Sequence, residues 1–255
     1  MPEGDTLART ADGLRPFLVG RAVIAASARQ PGPQASRLVG ATVTAVEAMG
    51  KNLLIRFDNG LEVRTHLRMH GSWHRYRAGE RWRRPPGRAR LVIEVPGSVA
   101  VCFDAPTVEL FEQRAEALHP SLSRLGPDLL EDPFDSAEAI GRLQDPSRAD
   151  RPVAEVLLDQ RALAGIGNEV KNEVLWQAAV SPWTPVRDLG EPTLIRLVDL
   201  ARAVLRAGAA TGRRPRHVYR RAGRPCPRCG RIVRVEHQGR DLPRLTFWCP
   251  ACQPG

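Results

Sequence analysis

Cys226-Pro-Arg-Cys229 and Cys249-Pro-Ala-Cys252 form two CxxC pairs with nineteen residues between them. Two thiolates on one tight turn can bind one edge of a tetrahedral ion, and the second turn supplies the other edge. All four positions are then filled, so one structural zinc is expected rather than a catalytic one. A redox dithiol or disulfide pair is the alternative. The fifth cysteine, Cys102, stands in an apolar stretch and reads as a small buried hydrophobe. A second chemical feature is Met1-Pro2-Glu3 at the start of the chain. Removal of Met1 would expose a secondary amine with a pKa near ~8, partly neutral at physiological pH. Such an amine forms Schiff bases with carbonyl-level carbon. Its iminium has no N–H to lose and stays cationic. Many chains begin Met-Pro, so the dipeptide alone assigns no role. A third feature is Leu163-Ala-Gly-Ile-Gly-Asn168. Gly165 and Gly167 permit a tight turn, Asn168 is a favourable N-cap, and the N–H groups of a helix start attract anions such as phosphate.

Three zones must position these residues. Residues 1–125 read mainly as strands: 22–26, 43–46, 52–57, 61–66 and 90–95 are short and β-rich, with Asp58-Asn59-Gly60 as a hairpin turn. Leu7, Leu14 and Leu18 recur at helical spacing, so one helix is expected ahead of the sheet. Residues 127–151 read as a linker with a short helix over 136–143. From 152 to 210 the pattern is helical: Val153, Val156, Leu157 and Leu163 form one stripe, Val170, Val174 and Leu175 another, and Leu194, Leu197, Val198, Ala201 and Leu205 a third. An Arg-, Gly- and Pro-rich stretch over 211–225 leads into the cysteine module. Between the cysteine pairs the pattern is a β-hairpin, with Arg244, Thr246 and Trp248 on one face of its second strand. An Arg on a rigid hairpin suits a backbone phosphate, although alone it is more often a solvated surface charge.

The charge balance points the same way. Lys and Arg total 38 against 28 acidic residues, a net charge of +10 over 255 residues. A polyanionic partner such as nucleic acid fits this balance; a general Arg bias would also produce it. No apolar run reaches the ~18 residues of a membrane span. The N-terminal segment lacks a basic region followed by an apolar one, so no signal peptide is expected. The expected location is the cytoplasm.

Taken in order, these pieces resemble the formamidopyrimidine-DNA glycosylase and endonuclease VIII (Fpg/Nei) family. The matching segments are Met1-Pro-Glu-Gly4, Gly50-Lys51-Asn-Leu-Leu54, Thr65-His-Leu-Arg-Met-His-Gly71, Leu125-Gly-Pro-Asp-Leu129, Ala164-Gly-Ile-Gly-Asn168 with Glu173-Val-Leu-Trp176, and Trp248-Cys-Pro-Ala-Cys-Gln253. They run nearly end to end. The resemblance implies an α+β chain with an N-terminal β-sandwich and flanking helix (1–125), a linker with a helix-two-turn-helix domain (126–220) and a four-cysteine zinc-finger hairpin (221–255). Damaged DNA would lie in the cleft between them, and a monomer is expected.

The resemblance also implies a bifunctional glycosylase and abasic-site lyase of base excision repair. Pro2 would be the nucleophile at C1′ of a flipped nucleotide, with Glu3 donating a proton to the sugar ring oxygen. Strand scission would follow by β,δ-elimination. Lys51 would join Pro2 and Glu3 in the catalytic set as the lysine that contacts phosphate near the lesion, Asn168 and Arg244 match further phosphate-binding positions, and Arg68, Met69 and His70 match the loop that fills the vacated stack. Glu173 matches a position near the base pocket, with a surface or helix-capping role equally open. Two departures matter. Many members have an acid where this chain has Thr6, preceded here by Asp5. Gly4 and the short segment 211–219 resemble the endonuclease VIII branch, which favours oxidised pyrimidines and abasic sites. The competing reading is a zinc-finger protein that recognises damaged DNA without chemistry. Pro2 and Glu3 favour the enzyme.

Overall fold

A computed structural model describes residues 2–239 and 243–254; Met1, whose removal the sequence leads one to expect, residues 240–242 and Gly255 lie outside the described residues. The chain divides into two compact units. One comprises Pro2 and Thr6–Ser123, the other Glu3–Asp5 and residues 124–254.

The first unit is built from helix α1 (Gly4–Leu18) and strands β1 (Ala25–Ala28), β2 (Val43–Met49), β3 (Asn52–Phe57), β4 (Leu61–His66), β5 (Ser72–Arg77), β6 (Ala89–Val95), β7 (Ser98–Phe103) and β8 (Thr107–Glu112). They form two antiparallel four-stranded sheets, ordered β1-β6-β7-β5 and β2-β3-β4-β8. The helical stripe is as expected: Leu7, Ala11, Leu14 and Leu18 are all buried, in one core with Val46, Leu53, Ile55, Leu91, Ile93 and Cys102. Burial pushes the Cys102 thiol pKa up, in keeping with an inert hydrophobe. Strand alternation turns Val92, Val101 and Phe103 to the opposite face of their sheet, where Tyr76 and Trp82 cover them. β7 is consequently buried along its whole length. The expected strand at 22–26 is displaced: only Ala22 makes an isolated bridge, to Thr42, and pairing proper starts at Ala25.

The second unit contains α2 (Ser136–Leu143), α3 (Val153–Val156), α4 (Asn168–Ala178), α5 (Glu191–Thr211) and the hairpin β9 (Arg234–Gln238) with β10 (Arg244–Trp248). The stripe on α5 is buried as its spacing requires, and Gly212 ends the helix in the left-handed conformation. The stripe through Val153 and Leu163 is not one helix. α3 is a single turn, because Asp159 and Gln160 divert the chain: the Asp159 carboxylate accepts the Arg161 N–H, and the Gln160 amide donates to the Leu158 and Ile166 carbonyls. Leu163 reaches the same core from a turn. Among the described residues no helix is long and apolar enough to cross a membrane.

Candidate active site and nucleic-acid interface

The start of α4 carries the helix's unpaired N–H groups, which attract an anion. Sequence spacing assigns that place to a phosphate and the N-cap to Asn168. The structure puts the chain's own Glu3 there instead. Glu3 Oε1 accepts the N–H of Glu169 at 2.8 Å, and Oε2 accepts those of Gly167 at 3.1 Å and Val170 at 3.2 Å. Gly167 is the N-cap, and Asn168 is the first helical residue with no capping bond. The Glu3 side chain is wholly buried. Glycine is required at 167 because a Cβ there would stand 2.2 Å from Glu3 Cδ.

Arg214 completes the arrangement. Its Nη1 donates to Glu3 Oε2 at 2.9 Å, and its Nε lies 3.4 Å from both Asp5 Oδ2 and Glu169 Oε1. Arg216 forks onto Glu169 at 3.0 and 3.1 Å. Three buried carboxylates thus share two guanidiniums, as burial of charge demands. Asp5, next to the position where an acid is missing, is held against Gly208: a Cβ there would come within 2.1 Å of Asp5 Oδ2. Sequence reasoning missed Arg214 because nothing in the spacing separates it from Arg213 or Arg216 in the same basic stretch.

Glu173 is neither exposed nor a cap. It is buried, and its carboxylate accepts the N–H groups of His217, Val218 and Tyr219 at 2.8–3.0 Å. It therefore fastens the segment that follows α5. Asn168 donates its side-chain amide to the Leu245 carbonyl at 2.8 Å, next to exposed Arg244, so these two expected phosphate ligands are brought together.

Lys171 is an unexpected resident of α4. It is buried, with Nζ 2.8 Å from Thr246 Oγ1, which in turn donates to Gln238. Burial lowers its pKa from 10.5 to about 7, against the attraction of Glu155 and Glu3. Between these values the unfolded chain holds a proton that the folded chain has shed. Stability therefore rises with pH from about 7 to 10.5 on account of this group. Lys171→Met should gain most in Tm relative to wild type below pH 7, and the difference should shrink toward pH 10. A Tm difference independent of pH would contradict the shift.

The four cysteine Sγ atoms lie within 4.8 Å of one another. A tetrahedral ion with sulfur bonds of ~2.3 Å would set them about 3.8 Å apart. Cys226 and Cys252 are at 3.9 Å and Cys229 and Cys249 at 3.4 Å, so the donor set fits a metal ion. Trp176 Nε1 donates to the Cys226 sulfur at 3.4 Å, and Gln253 ties the Cys249 N–H to the Val180 carbonyl. The cluster is thereby bound to α4 and the residues after it.

The first unit holds the other expected residues. Lys51 sits in the turn joining β2 and β3, beside Gly50 with φ +57°. Asn52 pairs with His66, so this turn and the end of β4 lie at one end of the sheet. Beyond His66, Arg68 is left-handed at φ +49°, and its N–H donates to His66 Nδ1 at 3.3 Å. Burial, then Arg68, Arg64 and Lys51, lower the His66 pKa to about 4, leaving its imidazole neutral and free to accept at neutral pH. Arg68, Met69 and His70 form an exposed tip, with Met69 52% exposed despite its apolar side chain. Pro2 is half-buried.

Comparison with known proteins identifies the family of the chain. The formamidopyrimidine-DNA glycosylase N-terminal domain matches residues 1–107, and the formamidopyrimidine-DNA glycosylase H2TH domain matches residues 125–218. A probable endonuclease 8 2 of Streptomyces coelicolor is 40% identical over 100% of this chain and 95% of its own length. A DNA-(apurinic or apyrimidinic site) lyase Nei2 of Mycolicibacterium smegmatis is 36% identical over 99% of both chains. In fold, the chain is similar to a Lactococcus lactis Fpg mutant crystallised with DNA containing Fapy-dG, with a TM-score of 0.86, 23% identity and full coverage of both chains. It is equally similar, at TM-score 0.86 and 22% identity over 99% of this chain and 100% of the other, to Lactococcus lactis Fpg in complex with abasic-site DNA.

Proposed function

Because the chain belongs to the formamidopyrimidine-DNA glycosylase and endonuclease VIII family, we propose that it excises oxidised bases, pyrimidines foremost, through a Schiff base on Pro2. It is a DNA glycosylase with abasic-site lyase activity, and its partner is damaged DNA. The observation that carries the residue assignment is Glu3, directly after the amine, immobilised at the start of α4 by three N–H groups and Arg214.

The Pro2 nitrogen attacks C1′ of the flipped nucleotide, and the base leaves with the bonding electron pair. The nitrogen then carries a surplus proton. Glu3, whose carboxylate accepts from three backbone N–H groups and Arg214, takes that proton and delivers it to the ring oxygen as the C1′–O4′ bond breaks. The iminium that forms acidifies C2′. Loss of the C2′ proton expels the 3′ phosphate, and a second elimination expels the 5′ phosphate. Lys51, Arg244 and the remaining amide hydrogen of Asn168 hold backbone phosphates, while Arg68, Met69 and His70 fill the gap in the stack. Cys226, Cys229, Cys249 and Cys252 would hold one zinc ion. With all four positions filled by cysteine it would keep the β9–β10 hairpin, and thus Arg244, in place and have no site open for chemistry.

Borohydride reduction in the presence of abasic-site duplex tests the reading. A covalent adduct is expected on the peptide containing residue 2. Binding without any adduct would favour the non-catalytic reading. With thymine glycol and 8-oxoguanine duplexes in parallel, faster excision of the pyrimidine is expected; clear preference for the purine would overturn the substrate assignment.

A further inference from the structure

Between β5 and β6, residues 80–88 read Glu-Arg-Trp-Arg-Arg-Pro-Pro-Gly-Arg, four arginines against one acid. None of them has a part in the reaction above. The segment is well fastened. Trp82 stacks on Tyr76 at 6.1 Å and meets the edge of Phe103 at 5.8 Å. Tyr76 Oη accepts the Arg83 N–H at 3.0 Å and lies 2.9 Å from His74 Nδ1. Pro85 and Pro86 fix two more φ angles. Much of the entropy cost of ordering this strap for a partner is therefore met in the fold itself.

The strap is also bolted to the exposed tip. Arg84 Nη1 donates to the His70 carbonyl at 3.3 Å and to Asp104 Oδ2 at 2.5 Å. Arg88 Nε donates to the other oxygen of the same carboxylate at 2.8 Å. Arg88 and Arg84 together hold the Asp104 pKa below its usual range, so one carboxylate answers two guanidiniums and positive charge remains. Arg81 and Arg83 are exposed, on the same rigid segment.

We propose that residues 80–88 form a second DNA-backbone contact, with Arg81 and Arg83 on phosphates that flank the point where Arg68–His70 enters the stack. The inference rests on the glycosylase reading and deepens it. Exposed guanidiniums on a preordered support match phosphate geometry and carry no base specificity. Their link to His70 means that seating the tip seats the strap.

The test is Arg81→Ala with Arg83→Ala, measured by equilibrium binding to a duplex carrying a non-cleavable abasic analogue from 50 to 200 mM salt. Each lost contact should lower the slope of log K against log salt by ~0.9, about 1.8 for the pair. The affinity loss should then be about tenfold larger at 50 than at 200 mM salt. Cleavage of an abasic duplex at saturating enzyme should keep its wild-type rate. An unchanged slope beside intact cleavage would overturn the proposal. Wild-type protein that neither traps nor cuts would instead overturn the enzyme reading, and the slope would still report on the strap.

Discussion

Pro2→Gly is expected to remove the borohydride-trapped adduct or reduce it to a trace, while binding to a non-cleavable abasic duplex stays near wild type. The reason lies in what a secondary amine does after attack. Its iminium cannot shed a proton from nitrogen, so the positive charge persists and draws electrons from C2′. Glycine leaves a primary amine, whose Schiff base loses its N–H proton and becomes a neutral imine, a weaker electron sink. The ring of Pro2 also fixes φ and presents the nitrogen in one orientation, which glycine does not. A chain that retains Met1 should give no adduct at residue 2, because that nitrogen is then an amide. Mass measurement of the functional protein decides this directly. Active protein with Met1 attached, or an adduct mapped to a residue other than 2, would refute Pro2 as the nucleophile.

The features legible from sequence are those whose chemistry is local. The cysteine spacing, the Asp58-Asn59-Gly60 turn and the stripes on α1 and α5 each depend on residues a few positions apart. The anchoring of Glu3 depends on residues 164 to 211 positions away in the chain, and no local pattern encodes it. The stripe Val170, Val174 and Leu175 marks α4, but not how deeply its polar residues are buried. The helix is buried on nearly every side, so polar residues such as Asn168, Lys171, Asn172 and Glu173 stand inside beside that stripe. Each has a distant partner: Leu245, Thr246, Phe247 and the 217–219 backbone. β5 went unnoticed because Ser-Trp-His-Arg-Tyr-Arg mixes charged and aromatic residues, although Trp73 and Tyr76 are buried. The tip at Arg68 was recognised through resemblance. Its left-handed backbone and the acceptor His66 supply the physical account.

Gly167→Ala should bring base excision close to the level of Glu3→Gln, although the alanine itself carries no reactive group. The added methyl would stand 2.4 Å from Glu3 Oε1 and Cγ, distances that real contacts do not reach. The backbone there is the N-cap of α4, bound at its neighbours, so Glu3 is the partner that must leave. Displacing it costs three N–H bonds and the Arg214 pair and leaves that guanidinium to Asp5 and Glu169. Overpacking of this kind costs ~1–3 kcal/mol, within reach of a domain that still folds. Glu3→Gln keeps the shape but turns an NH₂ group toward N–H or Arg214 donors. It should lose proton transfer, worth ~10²–10⁴ in rate, with a smaller fall in Tm. The two variants should therefore converge in single-turnover base excision and diverge in thermal stability. Gly13→Ala, where a Cβ meets nothing within 4 Å, supplies the control for alanine substitution as such. Wild-type excision by folded Gly167→Ala would show that the position of Glu3 at the start of α4 is not what the chemistry uses.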